Sequence, residues 1–245
     1  MKKLVLITLL LVAGLVKAQP PVYDDLRILY ADGNYEKLVR ASAGYNDRDK
    51  TKSDALPYLW LGRGLYKIDI GGEGGEEFKN AYKDAISAVG KSIKLDKSGD
   101  LQDEYKEFYQ EFKMTVLERI KNDLASEKPT PAEYKKASAW IGKYYKLVPN
   151  SVGAKYLDGA AKFRNNDKGG ATAAWKEADT KFATVTSIDG WDPADVELLK
   201  LGIIHSVDCM VSIKQTEKAK ALLGKVKQWY EEDEEFMKKY DAIVN

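Results

Sequence analysis

The stretch Tyr82-Lys83-Asp84-Ala85-Ile86-Ser87-Ala88-Val89-Gly90-Lys91-Ser92-Ile93-Lys94-Leu95-Asp96 decides the fold. Ala85, Val89, Ser92 and Leu95 recur at steps of three and four, which puts them on one face of a helix. Lys83, Asp84, Lys91 and Lys94 fall mostly on the other face. Ala85 and Ser92 are small where the face is apolar, so a second helix can cross closely there. A helix of this length gains most of its stability from packing, so the stretch predicts helical neighbours.

Those neighbours are legible on both sides. Upstream, Val22, Leu26 and Leu29 space one apolar face, Asp32-Gly33-Asn34 breaks it, and Tyr35, Leu38 and Ser42 resume it. After the charged linker Asn46–Ser53, the residues Tyr58, Leu61, Gly62 and Leu65 mark a helix that leads through Gly71-Gly72-Glu73-Gly74-Gly75-Glu76 into Tyr82–Asp96. Gly62 costs about 1 kcal/mol of helix propensity against alanine, which predicts a neighbouring helix pressed against it. Downstream, Leu101 to Leu124 reads as one long helix with Tyr105, Phe108, Phe112, Val116 and Ile120 on its apolar side. Thr130-Pro131-Ala132-Glu133 is a capping box with proline at the first helical position, opening a helix that Pro149 ends. Tyr156, Gly159, Ala160 and Phe163 define the next helix, and Ala171, Trp175 and Ala178 its partner. Asp192-Pro193 opens a helix through Leu198, Leu201, Gly202 and His205, whose partner carries Ala219, Leu223, Val226 and Trp229. Phe236, Tyr240 and Ile243 suit a last helix after the acidic run Glu231–Glu235.

Tyr82–Asp96 and Tyr134–Pro149 resemble the second helix of a tetratricopeptide repeat. Gly33-Asn34-Tyr35-Glu36-Lys37-Leu38 resembles its turn, and Tyr58, Leu61, Gly62 and Leu65 its first helix, a spacing that Leu201-Gly202 repeats. The resemblance implies an all-α, tetratricopeptide-like array of antiparallel helix hairpins, an α-solenoid forming one domain over residues 19–245. Its hairpins fall at about 22–45, 54–96, 101–148, 151–184 and 193–230, with a capping helix at 233–244. Aligned on Leu38, Ala85, Ala137, Ala171 and Ala219, the repeats are spaced by 47, 52, 34 and 48 residues, and only one spacing equals the family period. The repeats are therefore irregular, and an irregular helical bundle is the alternative. The family pattern further implies that Leu59, Arg63, Tyr66 and Lys67 face inward on one first helix, and Tyr156, Phe163 and Arg164 on another. Arg63, Tyr66, Lys67, Tyr156, Phe163 and Arg164 are thus the expected binding residues. The carboxylate-gripping version of the family needs lysines and asparagines at fixed places; Leu59 and Arg63 occupy two of them, so that activity does not carry over.

Lys2 and Lys3, the apolar run Leu4–Val16 and Val16-Lys17-Ala18 have the form of a cleaved secretory signal over residues 1–18, with the cut after Ala18. The leader has a bacterial shape and no cysteine follows it, which predicts a periplasmic or secreted product without a lipid anchor. Removing Lys2, Lys3 and Lys17 from the 39 basic residues leaves 36 against 38 acidic ones. That balance offers no stripe for nucleic acid, and no later stretch is apolar enough to cross a bilayer.

The chemistry-bearing residues are sparse. The lone histidine, His205, and the lone cysteine, Cys209, stand four apart on an apolar helix, which suits a core pair better than a metal site. No serine–histidine or cysteine–histidine partnership is evident beyond them. The loop Gly71–Glu76 lacks a Gly-Lys-Ser or Gly-Lys-Thr ending, and Asn165–Gly170 lacks the spacing of a calcium loop, so both are expected to be turns. The expectation is a non-enzymatic scaffold or adaptor of the bacterial cell envelope, without cofactor or metal, binding a protein or peptide partner. With 15 tyrosines and five tryptophans available for ligand contacts, a small-molecule or glycan binder is the alternative.

Overall fold

The computed structural model describes residues 23–72 and 74–245. The leader expected over residues 1–18, and Val22, lie outside the described residues. Within them the chain forms α1 (Asp24–Ala31), α2 (Tyr35–Asn46), α3 (Ala55–Gly71), α4 (Ala81–Leu95), α5 (Asp100–Glu104), α6 (Lys106–Asp123) and α7 (Pro131–Leu147). It continues with α8 (Val152–Arg164), α9 (Lys168–Phe182), α10 (Pro193–Ser212), α11 (Thr216–Val226) and α12 (Glu234–Val244). Two 3-10 turns, Glu76–Phe78 and Lys227–Trp229, and no strand complete the described residues. The protein is all-α.

Local chemistry sets the ends of these helices. Thr130 accepts from the Glu133 amide while the Glu133 carboxylate accepts from the Thr130 amide at 2.6 Å, closing the expected box. Asp192, Ser151, Asp167 and Asp233 each accept a first-turn amide of the helix they precede. Gly33 adopts φ +72°, a left-handed conformation that costs glycine little, and it lets the Asn34 amide reach the Leu29 carbonyl at 2.9 Å.

One expected helix is two. The reading of Leu101–Leu124 as a single helix is corrected by a break at Tyr105, whose φ and ψ are −108° and 30°. Two demands meet at that residue. Asp96 holds the start of α5 by accepting from the Gly99 and Gln102 amides at 3.2 and 3.1 Å. The Tyr105 ring, meanwhile, sits edge-on to Trp60 at 5.8 Å. Apolar periodicity alone runs through such a break and does not report it.

Neighbouring helices pack against each other: α1 on α2, α3 on α4, α6 on α7, α8 on α9 and α10 on α11. Beyond these pairs, α2 lies on α3, α4 on α7, α7 on α8 and α8 on α10. Glycine permits the closest crossings. A Cβ on Gly62 would meet the Val89 side chain at 2.5 Å and the Ala85 carbonyl at 3.3 Å. The neighbour that Gly62 predicted is therefore α4. On the other Leu-Gly pair, a Cβ on Gly202 would lie 2.3 Å from the Gly153 carbonyl, so α10 touches the backbone of α8.

Two large cores result, and the same helices serve both. Ala154, Leu157 and Ala161 of α8 and Ala194 and Leu198 of α10 join the core of α3, α4, α6 and α7. Val152, Tyr156 and Ala160 of α8 and Leu199, Ile203 and Val207 of α10 join that of α9, α11 and Phe236. A helix apolar on two sides must be sandwiched, and α10 is. Tyr23, Leu26, Leu38 and Trp60 make a smaller third cluster at the N-terminal end.

Candidate binding site

Where α10 passes between α6, α7, α8 and α12 it leaves a cleft of about 900 Å³. Its apolar surface comes from Leu124, Tyr134, Leu201 and Ile204, and the loop Ala125–Pro129 forms one lip. The capping box that starts α7 also fixes this lip, because Ser126 donates to Glu133 as well. The Ser126 and Thr130 hydrogen bonds hold the Glu133 carboxyl near pKa 2, well below its usual value.

Charges on the walls are mostly paired. Lys121 lies 3.5 Å from Glu118 and 3.3 Å from Glu197, and Lys239 donates to Asp208 at 2.8 Å. Lys200, only 6 % exposed behind the wall, reaches Glu197 at 3.0 Å and Asp233 at 2.7 Å. Burial alone would lower its pKa; the hydrogen bonds it donates to Asp233 and Glu197 outweigh that and raise it. Arg164 differs. Among the described residues it makes no ion pair, and its buried Nε has no hydrogen-bond partner. Its guanidinium carbon stands 6.0 Å from the centre of the Tyr134 ring.

Beneath it, Tyr134 and His205 share a hydrogen bond of 2.7 Å between the phenol and Nδ1, with the rings perpendicular. His205 is 9 % exposed, and burial lowers its pKa to about 4, so the imidazole is neutral at pH 7. Burial also pushes Tyr134 up to about 12 and Cys209 up to about 11, against the pull of Arg164. Neither the imidazole nor the thiol titrates near neutrality, which gives the pair no poise for acid–base or thiolate chemistry. Among the described residues, no group of three or more histidine, cysteine, aspartate or glutamate side chains is placed to hold a metal ion.

The six residues expected to bind are not brought together. Arg164 alone reaches the cleft. Tyr156 is fully buried, its hydroxyl donating to Asp179 at 2.8 Å, and Tyr66 is 5 % exposed among Phe112, Phe108 and Tyr82. Placing these two tyrosines on an open inner face is corrected: their rings fill the core and only their hydroxyls find polar partners. Arg63 is enclosed by rings of its own chain, with its guanidinium carbon 4.2 Å from the Tyr30 centroid, 4.7 Å from Trp60, 5.2 Å from Tyr105 and 5.3 Å from Phe108. Lys67 is half-buried beside Tyr66. Phe163 is half-buried against Trp175 and borders a separate groove with α9 and α11.

Sequence reasoning missed Tyr134, His205, Asp208, Lys121 and Lys239 as cleft residues. Tyr134 and His205 had the signature of core positions, and they are core positions whose polar atoms meet at the edge of the cleft. Among the described residues, no helix is long and apolar enough to cross a membrane. Compared with known proteins, the chain matches no family model, and no curated protein or solved structure is significantly similar to it.

Proposed function

We propose that this protein is a non-enzymatic interaction scaffold of the bacterial cell envelope, exported by its leader, that seats a segment of a protein partner in the cleft around Arg164. The observation that carries the reading is the contrast within that cleft. Lys121 and Lys239 are already neutralised by carboxylates of the chain and Lys128 and Lys238 stand exposed to solvent, while Arg164 offers a half-buried guanidinium, its Nε without a partner, beside apolar surface. A guanidinium so placed suits a backbone carbonyl or a carboxylate, and Leu124, Leu201 and Ile204 suit an apolar side chain. Five helices frame the cleft, so little ordering entropy falls on the scaffold when a segment enters. Tetratricopeptide-like stacking of the helix pairs belongs to the same proposal; the close crossings at Gly62 and Gly202 support it.

The chain from Gln19 onward, carrying a photo-crosslinking residue at Lys238, is the reagent that tests this. Irradiation in envelope extract should join one protein in near-stoichiometric yield, and Arg164→Glu should abolish that product while the circular dichroism spectrum stays unchanged. A volume of about 900 Å³ also lies within the range of small-molecule sites. No crosslinked protein, together with a glycan or metabolite that raises the melting temperature only when Arg164 is present, would replace the adaptor by that second reading.

A further inference from the structure

A second surface, away from the cleft, carries a charge pattern that the chain itself leaves unanswered. Along α4, the residues Lys83, Ser87, Gly90, Lys94 and Lys97 follow one another at steps of three and four, a stripe that α4's last turn extends to the connecting loop. Gly90 is the point of contact with α7: a Cβ there would lie 2.8 Å from the Lys146 carbonyl. The missing side chain thus allows α7 close in and sets Lys146 beside the stripe, where its ammonium donates to Ser87 at 3.0 Å. Lys143 stands one turn earlier on α7, and Lys91 beside the stripe on α4.

Six lysines meet along this seam, and among the described residues none of them makes an ion pair. The carboxylate at its end, Asp96, is engaged by the Gly99 and Gln102 amides. Mutual repulsion is felt on the spot: after burial, the charges of Lys83 and Lys146 are what lower the pKa of Lys143. On a chain with balanced charge this gathering works against stability, and carboxylates supplied from outside relieve it. Between the lysines lies a groove of about 710 Å³ whose floor is Ile93, Tyr145 and Pro149.

We propose that the α4–α7 seam is a docking groove for an acidic segment of another protein, one that alternates carboxylates, set against the lysines, with apolar side chains, set on the Ile93–Tyr145–Pro149 floor. Charge complementarity selects the acidic partner, and the concave apolar floor selects a polypeptide over a lipid surface. A lipid surface rewards large apolar side chains that project, and those exposed among the described residues, Ile28, Ile70, Val211 and Ile213, all lie on other helices or their ends. This groove does not depend on the cleft around Arg164; together the two surfaces would let one scaffold bridge two chains.

The test uses the chain from Gln19 onward and an end-blocked fluorescent octapeptide of alternating glutamate and leucine. Anisotropy should report saturable binding that weakens as salt rises, and Lys94→Glu, Lys97→Glu and Lys146→Glu combined should weaken it about tenfold or more. The corresponding glutamine triple variant should lose less, and Arg164→Glu should lose nothing. These lysine side chains are exposed, so the melting temperature certifies that each variant is folded. Equal binding of the glutamine–leucine peptide, or an affinity indifferent to the triple reversal, would overturn the proposal. So would phosphatidylglycerol vesicles that bind where the peptide does not, or a salt-sensitive self-association, through the acidic run Glu231–Glu235, that the reversal abolishes.

Discussion

At the scale of single residues, His205 makes its neutrality a condition of folding. Burial holds its pKa near 4 in the folded chain against 6.5 in the unfolded one. Asp208 acts to raise it, and the cations Lys239 and Arg164 act to lower it further. The unfolded state therefore takes up the proton first as pH falls. Stability from this residue is complete above pH 6.5 and is lost progressively down to pH 4, by about 2 kcal/mol between pH 6.5 and 5. His205→Gln, which keeps a hydrogen-bonding partner for Tyr134, should flatten that slope; urea midpoints measured at the two pH values decide it. An equal slope in the variant would assign the pH dependence elsewhere. Arg63 makes a similar point about placement. Its charge sits against four aromatic rings of the chain, so what looks like a binding arginine in the sequence is a tie between α1, α3 and α6.

At the scale of elements, the closest helix crossings, at Gly62, Gly90 and Gly202, lie where a side chain is missing. Gly202 and Gly142 are both helical, yet they predict opposite outcomes for the same substitution. Gly202→Ala pushes a methyl into the Gly153 carbonyl, a backbone atom that cannot turn aside, and should cost about 1–3 kcal/mol. Gly142 has nothing within 4 Å of the added Cβ, so Gly142→Ala should gain about 0.5–1 kcal/mol from helix propensity alone. Thermal melts of the two variants against the parent read the sign directly. A stabilised Gly202→Ala would mean that α8 and α10 do not cross there.

At the scale of the whole molecule, sharing α8 and α10 between the two main cores couples the halves. Unfolding either core alone would strip apolar surface from helices that the other still needs, so a single cooperative transition is expected. Far-ultraviolet circular dichroism and the fluorescence of Trp60, Trp140, Trp175, Trp191 and Trp229, which are spread along the chain, should give coincident denaturation curves. The far end is held by α12, where Phe236 is fully buried beside Tyr230 and Tyr240. Phe236→Ala should lower stability by about 3–5 kcal/mol and shift both probes together. Two separate midpoints would divide the chain into independently folding parts.

The apolar periodicities of Tyr82–Asp96 and its neighbours, the Thr130 capping box and the Asp192-Pro193 start were sufficient by themselves to make this an all-helical chain, because caps and amphipathic faces depend only on residues a few positions apart. Small residues such as Gly62, Ala85 and Gly202 likewise announced crossings before any partner was known. Which helix each crossing used came from tertiary structure alone. So did the break at Tyr105, the burial of Tyr66 and Tyr156, and the meeting of Arg164 with a tyrosine and a histidine 30 and 41 positions away. Likewise, the lysines of α4 look like an ordinary solvated face until Gly90 admits α7 and adds Lys143 and Lys146 to them. Local sequence sets the angle of a side chain on its own helix; what it faces depends on where distant helices come to rest, and that is decided by packing summed over the whole chain.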